Sequence, residues 1–151
     1  MTTTKNAANP ADAPQIHATI ERRLTFDAPP ERVWRAITEP DEIAAWFGDS
    51  AELDLRPGGD GWFGWEEHGR FAVRVEEVVA NERLVWRWSR KRDTPIDEGP
   101  STRVEWRLSP APGGGTVLEL TESGFQREAD RQDNIGGWKH ELAELVAHVD
   151  G

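Results

Sequence analysis

Between residues 51 and 123 the chain repeats one pattern, short apolar alternations separated by turn signals. Phe71, Val73 and Val75 form one such set; Leu84, Trp86 and Trp88, then Val104, Trp106 and Leu108, then Leu118 and Leu120 form the others. A period of two places each set on one face of a strand. Pro57-Gly58-Gly59, Glu67-His68-Gly69 and Gly113-Gly114-Gly115 mark reversals, and residues 93–100 read as a polar loop. The region is therefore expected to be an antiparallel run of about six strands.

The flanks add one strand and three helices. Ile16, Ala18, Ile20, Leu24 and Phe26 alternate with polar residues, with Arg22 in phase with the apolar set. Pro29-Pro30 opens a short helix carrying Val33 and Ile37, since proline suits a first helical turn. A second short helix follows from Pro40 with Ile43, Trp46 and Phe47, and Gly48 closes it. At the C-terminus Ile135, Trp138, Leu142, Leu145, Val146 and Val149 fall within an arc of about 100° on a helical wheel, the stripe of a long amphipathic helix. Residues 1–14 lack periodicity and read as a disordered tail, leaving 15–151 as one domain of ordinary size. Strands flanked by segregated helices define an α+β class.

Composition narrows the chemistry. The chain has 8 Trp, no Tyr and no Cys, so disulfides, thiolate metal sites and tyrosine-based proton transfer are excluded. A net charge of −10 argues against nucleic-acid and anionic-membrane partners, which bind through cationic surface. With no signal-peptide or membrane-length apolar run in the sequence, a cytoplasmic location is expected. One basic island, Arg83, Arg87, Arg90, Lys91 and Arg92, interrupts the acidic chain and reads as a solvated outer face and loop.

Motifs carry less. Gly59-Asp60-Gly61-Trp62-Phe63-Gly64 matches a dinucleotide-binding string, but a turn precedes it and strand-like aromatics follow, so a glycine-eased hairpin is the better reading. His140, Glu144 and His148 recur at helical spacing opposite the apolar stripe and read as a water-facing row, not a metal site. No serine lies in a nucleophile elbow. Neither metal nor cofactor is called for. Glu66, Glu77 and Glu122 share the phase of inward residues and are the catalytic candidates, because a carboxylate in an apolar cavity would hold its proton more tightly.

Several strings together resemble one family. Phe26-Asp27-Ala28-Pro29 with residues 33–38 (VWRAIT), residues 43–48 (IAAWFG), residues 54–59 (DLRPGG), residues 82–86 (ERLVW), residues 115–121 and Gly136-Gly137-Trp138 are similar, in order and spacing, to the SRPBCC (START-like, helix-grip) superfamily. Within it they resemble the family named for the activator of the ninety-kilodalton heat-shock protein ATPase. The resemblance implies a curved antiparallel sheet of six to seven strands wrapped around a long C-terminal helix, two short helices after the first strand, and an apolar cavity between sheet and helix. Its ligand-binding residues would be Trp46, Phe47, Trp62, Trp65, Phe71, Val73, Trp86, Trp88, Trp106, Leu118, Leu120, Trp138 and Leu142. The expected partner is a hydrophobic or aromatic small molecule, with a homodimer allowed. The alternatives are a cyclase-, dehydratase- or hydrolase-like enzyme using a cavity glutamate, and a chaperone-activating interaction module. The eukaryotic activator carries a further N-terminal domain that 151 residues cannot accommodate, which disfavours the last.

Overall fold

A computed structural model describes residues 18–151; the tail expected over 1–14 and the strand start at Ile16 lie outside them. The chain runs β1 (Ile20–Phe26), α1 (Pro30–Thr38), α2 (Pro40–Trp46), β2 (Ser50–Leu53), β3 (Asp60–Trp65), β4 (Gly69–Val79), β5 (Arg83–Ser89), β6 (Ser101–Pro110), β7 (Thr116–Ser123) and α3 (Glu128–Asp150). The seven strands form one antiparallel sheet in the order β1-β7-β6-β5-β4-β3-β2. β2 to β7 are joined as a meander, and α1 and α2 carry the chain from the β1 edge to the β2 edge. Among the described residues no helix is long and apolar enough to cross a membrane.

Local chemistry sets these boundaries. Pro30 and Pro40 each stand at the start of a helix, where the missing N–H is harmless. Gly48 follows α2 at φ +77°, and a Cβ there would lie 2.5 Å from the Gly64 carbonyl oxygen. Gly61 sits in β3 against β2, where a Cβ would meet the Glu52 carbonyl at 2.2 Å. The glycine-rich string thus lies in an antiparallel hairpin, with no helix after it to receive a phosphate.

Inner-face side chains follow the alternation. Val73, Val75, Leu84, Trp86, Trp88, Val104, Trp106, Leu108, Leu118 and Leu120 are buried, and α3 lays Trp138, Leu142 and Leu145 against them. Arg22 keeps the inner phase opposite Leu120, yet its guanidinium donates to the Glu21 carbonyl at 2.7 Å and pairs with no buried acid among the described residues. The helices are tied to one another through one carboxylate. Glu42 of α2 accepts from Arg32 of α1 at 2.6 Å and contacts His148 Nε2 of α3 at 2.9 Å. His148, one of the row of three, is therefore engaged at a helix–helix contact.

The outer face is an ion-pair lattice. Arg83 reaches Glu77 and, at 2.8 Å, Glu105; Arg107 reaches Glu105 at 2.6 Å; Arg87 reaches Glu76 at 3.3 Å. Val85 is fully buried on this side, with Glu77 and Glu105 as its register neighbours. Burial raises the proton affinity of Glu105, but hydrogen bonds from Arg83 and Arg107 outweigh it and hold the carboxyl below its usual range. Ionised Glu105 thus stabilises the fold above the unfolded carboxylate range, and the contribution fades as acid titrates the folded-state group. Glu105→Gln should lower stability at pH 7 by about 1–2 kcal/mol in urea denaturation, with wild type and variant converging toward pH 3.

Candidate functional site

One carboxylate organises the interior. Glu122, at the end of β7, is completely buried and takes part in no ion pair among the described residues. Its Oε2 accepts from Trp88 Nε1 at 2.8 Å and from the Thr102 hydroxyl at 2.5 Å. Its Oε1 accepts from Trp138 Nε1 at 2.7 Å and from Asn134 Nδ2 at 2.9 Å. Four donors from β5, β6 and α3 thus converge on two oxygens, which is how a charge without a cation partner is held inside a protein.

The two indoles so anchored are walls of a cavity of about 240 Å³ between the sheet and α3. Phe47, Trp65, Phe71, Trp88 and Trp138 supply its aromatic surface; His68, Ser89, Arg90, Asn134, Gly137 and Glu141 complete it. Phe47, Trp88 and Trp138 lie nearly parallel, with centroids 5.6–5.7 Å apart and interplanar angles of 12–28°. Trp65 and Phe71 meet edge to face at 5.7 Å. Flat rings held in such offsets present a rigid apolar surface.

A carboxylate and a guanidinium interrupt it. Trp65 Nε1 donates to Glu141 Oε2 at 3.3 Å. Burial against the rings raises the proton affinity of Glu141, only partly countered by that bond and by His140. Arg90, just beyond β5, donates through one terminal nitrogen to Asn134 Oδ1 at 2.8 Å, so Asn134 is held from both sides. Its Nε is buried with no partner.

The structure divides the residues singled out in the sequence. Phe47, Trp65, Phe71, Trp88 and Trp138 come together around the cavity. Trp46, Val73, Trp86, Trp106, Leu118, Leu120 and Leu142 are packed core, and Trp46 Nε1 donates to the Ala36 carbonyl at 2.7 Å. Trp62 is corrected to the outer face. Phe63 takes the inward position in β3, and the Arg70 guanidinium stacks 3.8 Å above the Trp62 ring. Glu66 is exposed in the β3–β4 turn. Glu77 also faces outward, because a bulge between Val75 and Glu77 shifts the register by one residue and turns the side chain over to Arg83. Glu122 does face inward, but its oxygens are already committed.

Arg90, Asn134, Gly137 and Glu141 were not singled out as site residues. For Gly137 a signal existed, since adjacent glycines inside an amphipathic helix cost about 1 kcal/mol each in propensity. Glu141 carried one too, lying one turn after Trp138 beside the apolar stripe. Arg90 looked like the rest of the basic island and carried none.

Comparisons with known proteins agree with this architecture. The family model for "Activator of Hsp90 ATPase homolog 1-like protein" matches residues 27–150. An uncharacterized Schizosaccharomyces pombe protein is 31% identical over 93 residues, covering 58% of this chain and 26% of its own length, so the chain spans about a quarter of that curated relative. Protein MLL2253 of Mesorhizobium loti superposes with a TM-score of 0.73 at 26% identity, covering 87% of this chain and 96% of that one. The Aha1 dimer of Colwellia psychrerythraea, at 18% identity, shares the fold with a TM-score of 0.72 over 88% of this chain and 96% of its own.

Two outcomes follow, for buried Glu122 and half-buried Glu141. Glu122→Gln replaces one acceptor oxygen with an amide that cannot serve an indole N–H, so stability should fall by about 2 kcal/mol or more in urea denaturation. Glu141 binds its proton more tightly folded than unfolded, so its ionisation destabilises the fold as pH rises through and above the unfolded carboxylate range. Glu141→Gln should therefore melt higher than wild type at pH 7, and the two should melt alike below about pH 4.

Proposed function

The chain belongs to the Activator of Hsp90 ATPase homolog 1-like family, of SRPBCC type, and on that premise we propose that it binds an apolar or aromatic small molecule between its sheet and α3. The observation that carries this reading is the cavity itself. Five aromatic side chains from the α2 terminus, three strands and α3 line a partly open cavity of about 240 Å³ with a handful of polar groups at its margin. Small-molecule sites have this character, an apolar wall with few convergent polar groups. The volume exceeds the roughly 150 Å³ that accommodates benzene in an engineered apolar cavity and suits a two-ring compound.

Gly137 supports the same reading. No atom lies within 4 Å of where its Cβ would be, so a side chain would meet no obstacle. The glycine forgoes helix stability and leaves the cavity margin open, a common trade between stability and function.

A second reading, proton transfer to or from a bound molecule, draws on Glu141. It is the carboxylate that lines the cavity, and burial brings its proton affinity closer to neutrality. A protein-docking reading draws less support, as Leu55 and Val79 are the large apolar side chains exposed among the described residues. Dimerisation, the state of the Colwellia protein, is compatible with ligand binding.

Titration with the neutral probe N-phenyl-1-naphthylamine should quench tryptophan fluorescence saturably, because Trp65, Trp88 and Trp138 line the cavity. Gly137→Leu should weaken that binding at least tenfold while raising stability by about 1 kcal/mol. A titration without quenching, or a Gly137→Leu protein that binds as wild type does, would overturn the assignment.

A further inference from the structure

Arg90 points to the chemical class of the ligand. Building on the ligand-binding reading, we infer that the cavity takes a flat aromatic molecule bearing one anionic group, a carboxylate or a comparable acid, which docks on the Arg90 guanidinium.

The argument begins with what Arg90 does with its charge. Among the residues lining the aromatic cavity it is the one arginine or lysine, and it is about four-fifths buried. One terminal nitrogen is spent on the Asn134 oxygen. The other lies 3.9 Å from Asp130, a carboxylate that Arg127 holds more closely at 3.1 Å. Nε is buried without an acceptor. A guanidinium that holds one neutral acceptor and one distant carboxylate is under-partnered, and its exposed edge at the cavity is where a further acceptor belongs. Glu122 cannot supply it, because its two oxygens already serve four donors and Asn134 stands between the two side chains.

The surroundings favour an anion on this side. A second cavity, of about 270 Å³, also has Arg90 in its wall, together with Lys91, Arg127 and Asp130. Three cations against one carboxylate make a positive corner in a chain whose net charge is −10. On the α3 side the cavity also carries Glu141, a carboxylate that would repel a second anion, so the acid of the guest belongs at the Arg90 end. His68, exposed at the margin, is the remaining titratable group. A neutral carbonyl could accept from the guanidinium, but an anion would do so with the stronger, charge-assisted bond. Phe47, Trp88 and Trp138 stack on one another and offer an aromatic wall that favours a flat guest.

The test compares 2-naphthoate with its neutral isostere 2-naphthamide by titration calorimetry on the whole chain at pH 7 and low salt. Wild type should prefer naphthoate by about tenfold or more. Arg90→Gln should abolish the preference, naphthoate affinity falling at least tenfold further than naphthamide affinity, and Arg90→Lys should keep part of it. Equal affinity for the two probes in wild type, or a preference that survives Arg90→Gln, overturns the inference and leaves the ligand-binding reading intact. Failure of wild type to bind either probe overturns both. If Arg90→Gln and Arg90→Lys lose both probes alike, Arg90 shapes the cavity without selecting charge, and the inference falls.

Discussion

A carboxylate sealed inside the protein, with no ion pair among the described residues, is the constraint on which the interior depends. Moving such a charge out of water costs several kcal/mol even after relaxation, and Glu122 can be tolerated only while its hydrogen-bond donors stay in place. Those donors sit on two inner strands and on the long helix: Trp88, Thr102, Asn134 and Trp138. Apolar packing alone would let α3 slide or rotate over a smooth aromatic sheet at modest cost. Four directional bonds to one point do not allow it, since a shift of an ångström would strand both an indole N–H and a charge.

The cavity follows from that clamp. Trp88 and Trp138 are fixed at their polar ends, and Phe47 stacks on both rings, so the end of α2 takes its position from the same pair. Glu42 then joins α2 to α1 and α3 through Arg32 and His148. Each element that lines the opening is thereby referenced to the others. A site built on locked rings can hold an empty volume that a softer core would collapse to fill.

Most of the concave surface has nevertheless been filled by the chain itself. Trp46, Trp86 and Trp106 occupy the space deeper in the grip, and the indole nitrogens of Trp86 and Trp106 are buried without acceptors. The aromatic vacancy lies toward the β3–β4 turn and the end of β5, where Gly137 contributes no side chain. Aromatic residues can thus serve as core and as binding surface within one cluster, the difference being whether a neighbouring ring already covers the face.

The alternation of residues 71–75, 84–88, 104–108 and 118–120 determined the sheet, and proline and glycine placed the turns and helix ends, because backbone period and local φ preference are properties of a few neighbouring residues. The apolar stripe of α3 and the inward phase of Glu122 were legible for the same reason. Tertiary structure decided the rest. The bulge after Val75 turned Glu77 outward, and Phe63 displaced Trp62 from the inner face, outcomes that depend on register with a partner strand. Which rings pack and which stay bare depended on how α3 meets the sheet. Arg90 became a site residue only through contacts with α3, some forty positions away in sequence, and a lone arginine in a basic run carries no local mark of that long-range pairing.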